Sequence, residues 1–119
     1  MAAPNIVNVT AIYGKTNVAN VATTAFNIVN NFASSGKVLK VNSLIVSNID
    51  GSNIADITAS LFRSNVEYKF ANTISVPADA TLVVISKDTF LYLEEGDSIR
   101  LTASANGDLQ AVCSFEEIN

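Results

Sequence analysis

Hydrophobic and polar residues alternate with a period of two along much of this chain, and short turn-forming clusters interrupt the alternation. The clearest stretch runs from Ile74 to Leu101 and divides into four strand-like pieces, separated by Pro-Ala-Asp-Ala, Ser-Lys-Asp-Thr and Glu-Glu-Gly-Asp. A period of two places neighbouring side chains on opposite faces of an extended backbone, which is typical of β-strands with one buried face. The segment therefore predicts sheet structure, and it contains no catalytic cluster.

The remaining sequence predicts more strands of the same kind, over Ile6–Tyr13, Ala25–Phe32, Lys37–Ile49, Ile54–Arg63, Val66–Val76 and Leu109–Phe115. A helix over Asn17–Phe32 is the competing interpretation of one region, but its Asn, Thr and Val residues are poor helix formers. Turns are predicted at residues 14–17, 64–65 and 77–80. Asp50-Gly51 and Asn106-Gly107 predict two hairpins, since these pairs favour the positive φ angles of type I′ turns, and residues 116–119 are predicted to form a tail.

Eight or nine short strands with regularly spaced turns predict an all-β fold, a single antiparallel β-sandwich. Jelly-roll topology is the more specific hypothesis. The sandwich is expected to span residues 1–119, with a short N-terminal arm at residues 1–5. The segment Lys37–Ile49 carries apolar residues on both faces, which is typical of a strand that is buried on both sides or covered by a partner subunit.

Charge is scarce in this chain. Charged residues make up 15% of the sequence and apolar residues 49%, against about 25% charged residues in average soluble domains. Charge is depleted at the cores of protein interfaces, so packing among many neighbours is one explanation, and a weakly charged monomer is the other. The net charge of −4 and seven scattered Lys and Arg residues disfavour binding to nucleic acid, which needs clustered cations.

The sequence offers little for catalysis. Histidine is absent and Cys113 is the one cysteine, so no intramolecular disulfide, His-based nucleophile pair or four-Cys zinc site can form. We expect Cys113 to be a buried structural thiol, and we expect no enzyme activity, cofactor or metal. Glu94-Glu95-Gly96-Asp97 could hold calcium, but a solvated turn fits its spacing better. No signal peptide or membrane span is expected, and synthesis in a cytoplasm follows as an expectation.

The segment Thr73–Ile118, with the motifs VPADATLVV, YLEEGDSIRL and SFEEI, resembles small virion structural proteins of tailed bacteriophages, especially marine and cyanobacterial ones. The upstream stretches NIVNVTAIYGKT and GKVLKVNSLIVSNIDGSN fit the same family. The resemblance implies a non-enzymatic protein in the virion, made in the host cytoplasm and present in many copies. It would decorate the capsid, or form part of the neck, tail or baseplate, and the family has no catalytic residues to assign.

Our first hypothesis is a capsid decoration or cement protein that acts as a symmetric homo-oligomer, with a trimer favoured, and bridges subunits of the major capsid protein. The expected contact residues lie in the N-terminal arm and in two loops: Ala2, Pro4, Asn5, Asp50, Asn53, Glu94, Glu95 and Asp97. A neck, tail or baseplate component is the second hypothesis. A host-glycan-binding module is the third, and it would need a stacking platform built from the tyrosines Tyr13, Tyr68 and Tyr92.

Overall fold

The computed structural model describes residues 4–119. Nine β-strands follow one another in this part of the chain: β1 (Ile12–Val21), β2 (Phe26–Asn30), β3 (Val38–Asn48), β4 (Ala55–Arg63), β5 (Val66–Val76), β6 (Thr81–Ile85), β7 (Leu91–Leu93), β8 (Ser98–Ala103) and β9 (Leu109–Ile118). One turn of 3₁₀ helix (Lys87–Thr89) separates β6 from β7. Within residues 4–119, no helix has the length and apolar character needed to cross a membrane.

The strands form two antiparallel sheets. The β1 sheet has the order β1-β9-β3-β6, and β7 pairs with β3 beside β6; the β2 sheet has the order β2-β8-β4-β5. The edges of the sheets are aligned, because β1 contacts β2 and β5 contacts β6. Most connections carry the chain from one sheet to the other, so neighbours in sequence rarely pair. This is jelly-roll-like topology, and it confirms the predicted all-β sandwich class.

Alternating side chains of both sheets meet between them and form the core. Its fully buried members are largely aliphatic: Val21, Val29, Val41, Leu44, Val46, Ile57, Val76, Ile85, Leu93, Ile99, Leu101 and Leu109. Ile99 and Leu101 point inward as predicted, and so do Leu109, Ala111, Cys113 and Phe115 of β9. The burial of these alternate positions is the main source of stability, at roughly 25 cal/mol per Å² of apolar surface.

Strand directions sort the loops into two opposite ends of a molecule that measures 49 × 26 × 20 Å. The proximal end holds the N-terminal segment (residues 4–11), Asn119 and the loops at residues 31–37, 64–65 and 94–97. The distal end holds the loops at residues 22–25, 49–54, 77–80 and 104–108. A buried asparagine secures each end, since Asn31 donates to Lys37 O and Leu93 O, and Asn48 donates to Asn53 O and Val76 O.

The first strand begins later than the sequence predicts. Residues 6–11 are not strand, because Asn5 accepts hydrogen bonds from Val7 N (side chain, 3.0 Å) and from Asn8 N (backbone, 2.9 Å) and thereby forms a turn. The predicted turn at residues 14–17 is instead the middle of β1. There the ladder with β9 overrides local turn preference, and Asn17 donates to Ile28 O of the facing sheet.

Both predicted glycine hairpins are also wrong. The loop at residues 49–54 joins β3 to β4, and the loop at residues 104–108 joins β8 to β9; in each case the two strands belong to different sheets. Gly51 does not have a positive φ angle, and Asp50 shapes its loop by accepting the N–H groups of Ser52 and Asn53. The predicted tail is strand up to Ile118, because it pairs with β1 and β3 on both sides.

Candidate assembly surfaces

One row of aliphatic side chains crosses the whole outer face of the β1 sheet. Its members are direct cross-strand partners on β1, β9, β3 and β6: Val18, Val112, Ile45 and Val83. Val18 is 72% exposed and Val83 is 57% exposed. The outer face of a solvated antiparallel sheet is normally polar, so a continuous apolar row across four strands marks a surface suited to burial.

The rows on either side of this aliphatic row are polar but uncharged. Toward the distal end the paired residues are Asn20, Gln110, Ser47 and Thr81. Toward the proximal end they are Thr16, Ser114 and Ser43, and the hydroxyl oxygens of Thr16 and Ser114 lie 3.4 Å apart. We call these three rows the uncharged band. The absence of charge matches the composition of interface cores.

The outer face of the β2 sheet includes a row of different character. A row that also crosses four strands consists of Asn27, Arg100, Ser60 and Lys69. Arg100 stacks over the ring of Phe62 at 3.5 Å, and its Nε donates to Asn27 at 3.4 Å. Ser60 is buried at 1% exposure, whereas Asn27 and Lys69 are exposed. A row that carries exposed polar and charged side chains is typical of a solvated sheet face.

A second apolar surface lies on the side of the sandwich where β5 and β7 form the edges. Here a depression of about 520 Å³ is lined by Leu61, Glu67, Tyr68, Lys69, Phe70 and Leu91. A smaller one of about 220 Å³ adjoins it through the shared residues Phe70 and Leu91. We call the two together the edge groove. Tyr68 pairs with Leu61 on the inner side of its sheet but is 57% exposed, because β7 is three residues long and leaves the core open.

The predicted contact residues fall at opposite ends of the molecule. Asp50 and Asn53 lie at the distal end, whereas Glu94, Glu95 and Asp97 lie at the proximal end. Asn5 begins the turn before β1 and Pro4 precedes it. Ala2 lies outside the described residues. The structure therefore does not bring these residues together into a single site.

Asp97 and Arg63 form an ion pair that closes the proximal end. The Asp97 side chain is 2% exposed and accepts Arg63 Nε at 2.7 Å and Glu94 N at 2.8 Å, with a second bond from Arg63 Nη2. This pairing with Asp97 raises the pKa of Arg63. Glu95 accepts Gly36 N at 2.8 Å. The acidic residues of this turn thus bind Arg63 and the loop at residues 31–37. No cluster of three acidic or Cys side chains that could hold a cation forms among residues 4–119.

The distal loops bring two carboxylates together. Hydrogen bonds from the backbone of Ser52 and Asn53 lower the pKa of Asp50. Desolvation and the neighbouring Asp50 charge raise the pKa of Asp108. Hydrogen bonds within the loop, desolvation and the charge of Asp50 account for these opposite pKa shifts. The shifts therefore do not require a bound ligand.

Cys113 lies at the centre of β9 with its side chain in the core. Burial raises the pKa of its thiol to about 12. The thiolate is the reactive form of cysteine, so this thiol is unsuited to nucleophilic or disulfide chemistry in the folded protein.

The three tyrosines do not form one platform. Tyr13 lies on β1, at the opposite side of the sandwich from Tyr68 on β5 and Tyr92 on β7. Tyr92 packs edge-to-face against Phe90 with ring centroids 5.5 Å apart, and the Lys40 ammonium lies 4.7 Å from the Phe90 ring. These aromatic residues line the same edge as the groove.

Comparison with solved structures shows where this fold recurs. The chain is similar to a protein of Bacillus endospore appendages, described as a novel family of disulfide-linked pili, with TM-score 0.54 and 13% identity over 92% of this chain and 87% of that one. It is also similar to a chain of the acid-stable capsid of Helicobacter pylori bacteriophage KHP30, with TM-score 0.49 and 8% identity over 94% and 90%. A pentameric capsid protein from metagenomic phage sequences gives TM-score 0.42 and 17% identity over 87% and 60%.

These neighbours come from capsids and pili. Identities this low show a shared fold alone. No family model matches the chain, and no curated protein sequence matches it significantly. The disulfide linkage of the pili has no counterpart here, because the one cysteine of this sequence is buried.

Proposed function

We propose that this protein is a non-enzymatic structural component of a bacteriophage virion, and that it decorates and cements the capsid as a symmetric oligomer. The observation that carries this proposal is the uncharged band on the outer face of the β1 sheet. The band would rest on the shell, and the polar outer face of the β2 sheet would face the solvent. Shell subunits bridged in this way resist separation when packaged DNA presses outward.

The size of the band favours an oligomer over a monomer. Four strands at ~4.8 Å spacing and three rows at ~6.8 Å spacing give roughly 400 Å². A stable interface buries about 800 Å² on each partner. One band is thus too small for durable attachment, but linked copies raise the effective concentration of each following contact. A closed trimer, which repeats the band three times, is the oligomer we favour.

The loops at the two ends supply the secondary contacts in this proposal. The N-terminal residues Ala2, Pro4 and Asn5 remain part of it, as do the loop residues Asp50, Asn53, Glu94 and Glu95. Asp97 contributes indirectly, because its carboxylate holds the loop in place. Removal of residues 2–8 is expected to abolish particle binding without unfolding the sandwich, because no strand lies among residues 4–8.

A neck, tail or baseplate position is the alternative within the virion, since the same band could cover a neighbouring subunit there. A host-glycan-binding module is the third possibility. It has less support, because Tyr13 lies apart from Tyr68 and Tyr92. A glycan array without hits would remove it.

The cementing role can be tested with particles that lack this chain. Heated in the presence of nuclease, such particles should release DNA at a lower temperature than complete ones. Purified protein added back should restore DNA retention, and the Asn27→Asp variant, altered on the β2 sheet, should restore it equally well. Equal heat resistance with and without the chain would contradict a cementing role.

A further inference from the structure

The N-terminal segment presents two aliphatic side chains that its own chain leaves largely uncovered. Ile6 is 51% exposed and Val7 is 91% exposed. They lie in a hydrogen-bonded turn, in which the Asn5 side chain accepts Val7 N and the Asn5 carbonyl accepts Asn8 N. Thr10 N and Ala11 N both donate to Asn119 O, and this attaches the segment to the proximal end of β1. The two side chains form a preformed apolar projection.

We propose that Ile6 and Val7 of one copy insert into the edge groove of a second copy, so that the copies join side by side into a closed ring. This inference shares with the proposed function the requirement that the protein is an oligomer. Beyond that requirement, it specifies the two surfaces that meet: the projection of Ile6 and Val7, and the edge groove.

The positions of the two surfaces support this pairing. The projection leads into β1, and the groove lies between β5 and β7, on the opposite side of the sandwich. Both belong to the proximal half, since Leu61 pairs with Ile99 near the start of β8 and Leu91 pairs with Val41 near the start of β3. The two patches differ and lie on opposite sides of the proximal half, so a contact between them joins copies head to tail. Such a contact produces a closed ring when the rotation from one copy to the next divides a full turn evenly.

Charge also favours this pairing. Residues 4–14 contain no charged side chain. The groove has an apolar floor of Leu61, Phe70 and Leu91, and its rim carries one acid and one base, Glu67 and Lys69. An uncharged projection enters such a groove without leaving an unpaired charge buried, which would oppose binding.

The exposed area explains why the assembly should be a ring. The two aromatic residues that line the groove are Tyr68 and Phe70, and at exposures of 57% and 39% they offer roughly 200 Å² for burial. That is less than half of one partner's share of a standard interface. A lone pair of copies would therefore be weakly bound. In a ring every copy makes the contact twice, so we expect monomers and closed rings with few open intermediates.

Disulfide trapping tests the contact directly. The single variants Val7→Cys and Tyr68→Cys are purified, given different isotopic masses, mixed and oxidised. Since each cysteine resides on a different chain, a disulfide between them reports a contact between copies. We expect a covalent heterodimer, and a chain carrying both substitutions should give a ladder that ends at the ring size. Ile54→Cys mixed with Tyr68→Cys is the matched control, because Ile54 is 61% exposed at the distal end and should give no product.

Solution mass supplies the second measurement. Val7→Asp should raise the dissociation constant of the ring at least about tenfold while the chain keeps the circular dichroism spectrum of the folded protein, whereas Ile54→Asp should leave the ring intact. Rings that survive Val7→Asp, or that give no Val7–Tyr68 disulfide, would overturn the inference. A monomer at all concentrations that still binds particles would also overturn it, together with the oligomer in the proposed function, and would leave only the attachment to the capsid standing.

Discussion

The outer faces of the two sheets share the same cross-strand geometry but differ in chemistry. The β1 sheet carries the row Val18, Val112, Ile45 and Val83. The β2 sheet carries the row Asn27, Arg100, Ser60 and Lys69. The fold needs neither outer row, since the core lies between the sheets. The difference therefore indicates what each face meets: water for the β2 sheet and, in our proposal, a partner surface for the β1 sheet.

The largest expected effect comes from placing charge in the uncharged band. Val18→Asp together with Val83→Asp should weaken particle binding by at least about 1,000-fold. Each change removes an aliphatic group that the proposed contact would bury, and adds a charge that the contact would desolvate. Both positions are exposed on edge strands, so the fold should persist. Binding isotherms on particles that lack the chain provide the measurement.

The control for that double variant is Asn27→Asp, which adds the same charge to an edge strand of the β2 sheet. We expect its affinity for particles to match that of the unchanged protein. Equal losses for the two variants would show that the sheets do not differ in function.

The next largest effect is a loss of folding stability in a variant whose uncharged band is unchanged. Asp97→Ala removes a buried carboxylate that accepts hydrogen bonds from the partly exposed Arg63 and from Glu94 N, and should lower the free energy of unfolding by about 2 kcal/mol. Urea denaturation followed by circular dichroism measures this. Under conditions where the variant is still folded, it should keep most of its affinity for particles, because the band is unchanged and only the loop contacts that Asp97 supports are weakened. A change of less than about 0.5 kcal/mol would mean that the Arg63 pair contributes little.

A smaller effect is expected in acid. Hydrogen bonds from Lys37 and then Lys15 lower the pKa of Glu117 below its ordinary value of 4.5. Folding thus favours the ionised form, and the resulting stability is present above pH 4.5 and lost as the pH falls through the lowered pKa. The partly exposed lysines limit the gain to about 1 kcal/mol. Urea midpoints between pH 3 and 7 should show this loss, and Glu117→Gln should reduce it.

The smallest effect is expected from salt. A contact made by uncharged rows gives counterions little to screen, so raising the NaCl concentration from about 0.1 to about 1 M should change the particle affinity by less than about threefold. A steep loss of affinity with salt would assign the contact to charged loops, such as the one with Glu94 and Glu95, rather than to the band.

Much of the fold could be predicted from the sequence, because inward positions repeat with a period of two. The strands at residues 38–48, 55–63, 66–76, 81–85 and 98–103 correspond closely to their predicted segments. The failures have a common cause. Turn propensity at residues 14–17 and at Asp50-Gly51 is local, whereas the ladder with β9 and the crossing between sheets depend on partners distant in sequence.

The candidate surfaces were harder to predict. Val83 joins the aliphatic row because it pairs with Ile45 in the ladder between β6 and β3, and single-sequence periodicity does not reveal cross-strand register. In the sequence Asp97 is one acidic loop residue among several, because its pairing with Arg63 depends on the fold. The scarcity of charge was the one usable signal, and it points to interfaces without locating them.

The most direct test of the proposed function is the copy number of this chain in purified virions of the phage that encodes it, measured by quantitative mass spectrometry against the major capsid protein. A decoration protein that follows the symmetry of the shell should give about one copy for every one to three capsid subunits. A ratio of only a few per cent would move the protein to the neck, tail or baseplate, and complete absence from virions would contradict the account.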